Sequence, residues 1–221
     1  MAVIHRTTLT PTKLELLAGR LPSRPWYRGG PAAPDLAKAG GFRIDDPEGE
    51  VGIEFMVVTD GSGAEPVAYL VPLTYRAAPL AGAEEGLLGT CEHGVLGTRW
   101  VYDGAHDPVL VEGLLALLAG RATPQAQSLS DTPDPSVEVR AAGLDVPSGP
   151  TAPGRVTDTA AATLIAVGPT DGDGPTLTLS RLLRPGPAAT GDDVRAQVLA
   201  PWSDPDGTDR RGVFATLRAR G

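Results

Sequence analysis

The chain has 221 residues, 41% of them hydrophobic, with 28 glycines and 22 prolines. That is enough apolar material for one large or two small cores, which excludes disorder. So many glycines and prolines imply frequent turns and a β-rich or mixed fold instead of a helical bundle. A net charge of -8 argues against the clustered positive surface that nucleic-acid binding requires, so no nucleic-acid partner is expected.

The amino-terminal stretch MAVIHRTTLTPTK lacks the apolar run of a signal peptide. The longest apolar stretch, Val109 to Ala119, is interrupted by Glu112 and is too short to cross a bilayer. A soluble cytoplasmic protein with no membrane partner is expected. Thr10-Pro11-Thr12 followed by KLELLAGRL predicts a short capped helix, with Leu14, Leu17 and Leu21 at helical spacing and Pro22 and Pro25 ending it. GFRIDD, EVGIEFMVVTD and PVAYLVPLTY are rich in Val, Ile, Phe and Tyr between Pro, Gly and Asp, and predict strands. Asp60-Gly61-Ser62-Gly63 joins the last two as a hairpin. A further strand is expected over Thr98 to Tyr102. DPVLVEGLLALLAG, with Asp107 as N-cap, Pro108 in the first turn and Gly120 closing it, predicts a leucine-faced helix.

Arg121 to Ser136 is polar, contains three prolines and lacks periodicity, which places a boundary there and divides the chain into units 1–125 and 126–221. Beyond it, VEVRAAGLDV, DTAAATLIAVG and PTLTLSRLLR predict a small antiparallel sheet, with Asp171-Gly172-Asp173-Gly174 as a hairpin tip. GDDVRAQVLA, with an acidic first turn and Val194 and Val198 four apart, predicts a short helix. The fold class expected is α+β: a curved antiparallel sheet with a few helices, then a small antiparallel β subdomain with a short helix.

Three stretches in order resemble the maltokinases of actinobacteria and stand-alone proteins related to their N-terminal cap. LPSRPWYRGG (Leu21 to Gly30) is similar to the family's LPxxRWFxGK segment, and WVYDGAHDPVLVEGLLALL (Trp100 to Leu118) is similar to the end of the cap. LTLSRLLRPGPAATGDDV (Leu177 to Val194) looks like the LKxFRRLxPGxNPxxEV strand-turn-helix of the kinase small lobe. The resemblance implies a cap followed by a degenerate small-lobe subdomain. It also implies departures: the strand lysine that would pair with nucleotide phosphates is matched by Thr178, and no lysine follows Lys38. The lysine that ends the W-[FY]-x-G-K segment is matched by Gly30. The HGDxHxxN and DxD motifs of the catalytic lobe have no match, and with the sequence ending at Gly221 no such lobe is expected.

No catalytic residue and no cofactor is therefore expected. Cys91, His93 and His106 fit no established zinc spacing, so no metal site is expected, and a single cysteine cannot form an internal disulfide. Neither G-x-S-x-G, G-x-G-x-x-G nor a P-loop lysine is present. Trp26, Tyr27, Trp100 and Tyr102 are candidates for packing on a sugar ring, with Asp103 to hydrogen-bond it. Core packing, and for Asp103 a turn before an N-cap, is the competing reading. The function expected is a non-catalytic, cap-like binding module: an accessory or regulatory partner of an enzyme of glucan and trehalose metabolism, or a sensor of a small sugar. The cap and small-lobe half of a split sugar kinase, and a purely structural or dimerising protein, are the alternatives.

Overall fold

A complete cap starts the first helix. In the computed structural model, which describes residues 9–30, 32–141, 154–168 and 174–219, α1 (Lys13–Arg20) begins after Thr12. The Thr12 hydroxyl accepts from the Glu15 amide, and the Glu15 carboxylate accepts from the Thr12 amide. Each side chain satisfies a backbone N–H that a helix leaves unused. The expected short helix is thus present, preceded by β1 (Leu9–Thr10).

Five strands follow: β2 (Leu36–Ile44), β3 (Gly52–Asp60), β4 (Val67–Arg76), β5 (Leu87–His93) and β6 (Gly97–Asp103). β3 and β4 form the hairpin expected around Asp60–Gly63, with Asp60 opposite Val67. β3 is buried along almost its whole length because both of its faces are covered. Ile53, Phe55 and Val57 face one core, whereas Met56 and Val58 face a second core that includes Leu17 and Leu21 from the α1 region. α2 (Pro108–Leu118) covers the first face. Its N-cap Asp107 accepts from the Val109 amide at 3.0 Å, its closing Gly120 has a φ of 70°, and Gly113 lies against Ile53 and Ile44.

The remaining strands are β7 (Gln125–Ala126), β8 (Glu138–Ala141), β9 (Val156–Asp158), β10 (Ala162–Ala166), β11 (Thr176–Ser180), β12 (Val194–Ser203) and β13 (Asp209–Arg218). The described residues make one 13-stranded sheet in the order β1-β5-β6-β4-β3-β2-β12-β13-β11-β10-β9, with β7 beside β2 and β8 beside β12. Every named pairing is antiparallel. With two α-helices among the described residues, the architecture is mostly antiparallel sheet with few helices. β10 and β11 pair as expected; of their hairpin tip, residues 171–173 lie outside the described residues, as do residues 142–146 of the strand expected beyond β8.

One expectation is overturned. The short helix over GDDVRAQVLA is instead the start of β12, a ten-residue strand paired with β13 on one side and with β8 and β2 on the other. A spacing of four places Val194 and Val198 on one face of a helix, but four is also even, so a strand keeps them together as well. Lateral pairing on both sides decides the matter, together with the β-branched residues and Pro201.

Position 125 falls within β7, and hydrogen bonding continues past it. Trp202 of β12 is opposite Gly40 of β2, the Leu70 amide donates to the Arg181 carbonyl at 3.0 Å, and the Leu183 amide donates to the Ala68 carbonyl at 2.9 Å. At Gly41, with a φ of 123°, a Cβ would lie 2.0 Å from the Phe55 carbonyl oxygen, so only glycine fits where β2 bends to receive β12. One core joins Phe42, Phe55 and Leu110 to Ile165, Leu177, Trp202 and Phe214.

Candidate functional site

The five residues expected to meet a sugar are brought together only in part: Trp26 and Tyr27 share Tyr69, and Arg181 joins Trp26 to Asp103, whereas Trp100 and Tyr102 lie apart from them. Trp26 is 0% exposed and packs against Tyr69 at 5.8 Å between ring centroids. Tyr27, half-buried, stacks on Tyr69 at 5.7 Å and donates to Asp60 at 2.6 Å; burial, then that bond, pushes its hydroxyl up to about 12. Trp100 and Tyr102 alternate along β6 with Val101, which shares a core with Trp26, so they project from the opposite face. Trp100 is half-buried, and the buried Tyr102 accepts from the Leu80 amide at 2.8 Å. Core packing accounts for Trp26 and Tyr102. Asp103 is 2% exposed, in an environment it shares with Trp26 through Arg181.

That environment is the seam between the two parts of the sheet. Arg181, 0% exposed, places one guanidinium nitrogen 2.7 Å from each Asp103 oxygen, and its Nε donates to the Thr163 hydroxyl at 2.7 Å. The guanidinium also lies 5.1 Å above the Trp26 ring, a favourable position for a cation over an aromatic face. Burial raises the Asp103 carboxyl, but the charge and hydrogen bonds of Arg181 outweigh it and hold it below the usual carboxylate range. Asp103 also caps the turn that follows it by accepting from the Ala105 amide at 3.1 Å. Arg28 donates to the Ala160 carbonyl at 2.5 Å, and Arg24 lies 3.8 Å from Asp158, so the segment after α1 is bound to β9 and its neighbourhood.

A second polar cluster lies beneath α1 and was not anticipated. Glu54, on β3, is 4% exposed. Its Oε2 accepts from Lys13 Nζ and from the Tyr75 hydroxyl, each at 2.6 Å, and its Oε1 accepts from Gln127 Nε2 at 2.7 Å. Lys13 also sits 5.4 Å above the Tyr75 ring. The charges of Glu54 and Lys13 also act on Lys38 of β2, which is exposed. Burial pushes the Glu54 carboxyl up, but Lys13, the Tyr75 bond and Lys38 bring it below its ordinary value. Burial, then the Glu54 charge, raises the Tyr75 hydroxyl well above its own. The signals in the sequence are a glutamate inside an apolar strand run and lysines confined to positions 13 and 38.

Thr178 is half-buried on β11. Strand pairing sets it in a row running Thr157, Leu164, Thr178, Thr216, Gln197, Arg140 across six strands. The charged member, Arg140, is three strands away and lies against Glu138. Gln197 accepts from the Ala189 amide at 2.7 Å and donates to its carbonyl at 3.1 Å, which folds the segment after β11 over this face.

Among the expected non-ligands, Cys91 is buried, and burial raises its thiol. His93 Nδ1 accepts from the Leu96 amide at 3.1 Å in its own hairpin, and His106 is half-buried near Asp103, with burial lowering its imidazole. Among the described residues, no three such groups come together around a point where an ion would sit, and no helix is long and apolar enough to cross a membrane.

The fold and its two buried charge clusters define a mostly antiparallel β protein with one helix on each of two faces. Residues 21–107 match the family model of the maltokinase N-terminal cap domain, from the end of α1 to the N-cap of α2. Over that span the chain is similar to a maltokinase cap, as LPSRPWYRGG and the Trp100 segment imply. No curated protein matches the chain.

Proposed function

We propose that the protein is a non-catalytic module of the maltokinase-cap type. It acts as an accessory or regulatory partner of an enzyme of maltose, glucan or trehalose metabolism, with units 1–125 and 126–221 working as one body. The cap match over residues 21–107 supports the metabolic link. The observation that carries the non-catalytic reading is the Thr178 row. At the position where a sugar kinase of this type needs a lysine for phosphate, the chain has a threonine between leucine and threonine. Arg140, three strands away and roughly 14 Å off by ordinary strand spacing, does not reach to replace it, and Arg218, opposite Thr176 on the adjacent strand, is held by both oxygens of Asp193.

Calorimetric titration with ATP, with and without magnesium, tests the reading directly. No heat of binding is expected, and micromolar affinity would transfer support to a split kinase. Affinity capture from lysate with the full chain is expected to retain an enzyme acting on maltose, trehalose or a glucan. Capture of no such enzyme, together with no response to maltose, trehalose or maltooligosaccharides, would leave the structural, dimerising alternative.

A further inference from the structure

The β5–β6 hairpin turns through Gly94, Val95 and Leu96, between the paired His93 and Gly97. Gly97, with a φ of 71°, supplies the left-handed residue that such a loop needs. The first position of a tight turn is commonly aspartate, asparagine or serine, whose side-chain oxygen accepts from the backbone amides ahead of it. Here a histidine takes that place. His93 Nδ1 accepts from the Val95 amide at 3.3 Å and from the Leu96 amide at 3.1 Å, so one ring nitrogen holds two backbone N–H groups.

A carboxylate in that position would keep its lone pairs far into acid, whereas an imidazole changes its charge near neutrality. Neutral Nδ1 has a single lone pair in the ring plane, so its role as acceptor fixes the tautomer with the proton on Nε2. A proton taken from solvent turns Nδ1 into a donor facing two other donors, and both bonds are lost. The turn also carries apolar surface: Val95 is 61% exposed and Leu96 45%, and among the described residues Leu129 is the one other large hydrophobic so exposed. Neither Val95 nor Leu96 belongs to a core cluster, so the placement of the loop relies on its backbone bonds.

The charged neighbours among the described residues come from three elements. On β5 itself, Glu92 points to the other face, where it accepts from the Thr98 hydroxyl at 2.7 Å. On the face His93 occupies, Arg99 of β6 stands opposite Cys91, two residues before His93. α1, which packs on this face through Leu17, carries Lys13 bonded to Glu54, Glu15 bonded within its cap and Arg20 bonded to the Leu88 carbonyl. β1 places Leu9 opposite His93 and Thr10 opposite Glu92, and neither is charged.

We propose that the β5–β6 tip is a pH-gated turn: neutral His93 holds it closed, and protonation of the ring releases Gly94–Leu96 and repositions the exposed Val95 and Leu96.

Heteronuclear NMR of the nitrogen-labelled full chain, from about pH 8 down to about pH 5, tests this. At the upper end the His93 ring is expected as the Nε2–H tautomer. As pH falls, the Val95 and Leu96 amide protons are expected to move upfield together, along a single-proton curve with the midpoint of the His93 ring. Their protection, corrected for the intrinsic pH dependence of exchange, should fall about twofold to tenfold, the range of one ordinary hydrogen bond. His93→Asp supplies an acceptor that stays ionised over this range, so both amides should then hold their shifts. An Nδ1–H tautomer at the upper end, amide shifts that stay flat while the ring titrates, or an unchanged response in His93→Asp overturns the proposal. The first two readings come from the unmodified sequence and stand whether or not the variant folds.

Discussion

The two buried ion pairs, Arg181–Asp103 and Lys13–Glu54, solve the same problem differently. At the seam, an arginine with 0% exposed side chain meets a carboxylate through two contacts of 2.7 Å, with Thr163 bonded to its Nε and the Trp26 ring beneath its guanidinium. Beneath α1, the lysine is 31% exposed, one oxygen of the carboxylate is shared between Lys13 and Tyr75, and the other accepts from Gln127. The first arrangement is sealed and has nothing to exchange with solvent. The second retains a path to water and a group that can change its charge. A guanidinium suits the geometric lock; an ammonium on a flexible stem suits the partly solvated site.

The sharpest way to break the comparison is Arg181→Met, which leaves Asp103 buried without its counter-charge. A loss of about 3–5 kcal/mol in urea unfolding is expected. Adding Asp103→Leu to it should restore much of that loss, since the cost lies in the stranded charge. Acid comes next. Glu54 and Asp103 are both held below their ordinary values in the folded chain, so their contribution is fully present above the ordinary carboxylate range and disappears as pH falls through it and below. Urea midpoints measured from pH 7 to pH 3 should fall, and less steeply in Glu54→Gln. Lys13→Met should cost less than Arg181→Met, about 1–2 kcal/mol, because Tyr75 and Gln127 still satisfy Glu54 and the lysine is partly solvated already. A Lys13 loss equal to that of Arg181 would erase the distinction between the two sites. The smallest effect belongs to Thr12→Ala, which removes the cap of the helix that positions Lys13, at about 1 kcal/mol in a thermal melt.

Local signals carried the helices and the β3–β4 hairpin. Thr12 with Glu15, and Asp107 with Pro108 and Gly120, announce their helix ends through contacts a few residues apart. What escaped depends on partners far along the chain. β12 reads as a helix until β13, β8 and β2 are in place to pair with it. β7 is hidden in a proline-rich connection because two residues make a strand only when Phe42 and Arg43 are there to receive them. The aromatic residues near 26 and 100 are close in composition to a sugar platform, but strand alternation sends Trp100 and Tyr102 to the face away from Trp26. Glu54 is the clearest case: an apolar run with one acid in it gives no indication that residues 41 positions before and 73 positions after will supply its hydrogen bonds.

Two of the three tryptophans mark the seam itself: Trp26 lies against Arg181, and Trp202 lies where β12 meets β2, 6.2 Å from Phe214. The third, Trp100, is half-buried on β6. The protein's own emission is therefore a built-in optical gauge of whether its two parts are joined. Separation would carry two indoles from a dry environment into water and shift the spectrum to longer wavelength, with no label attached to the chain.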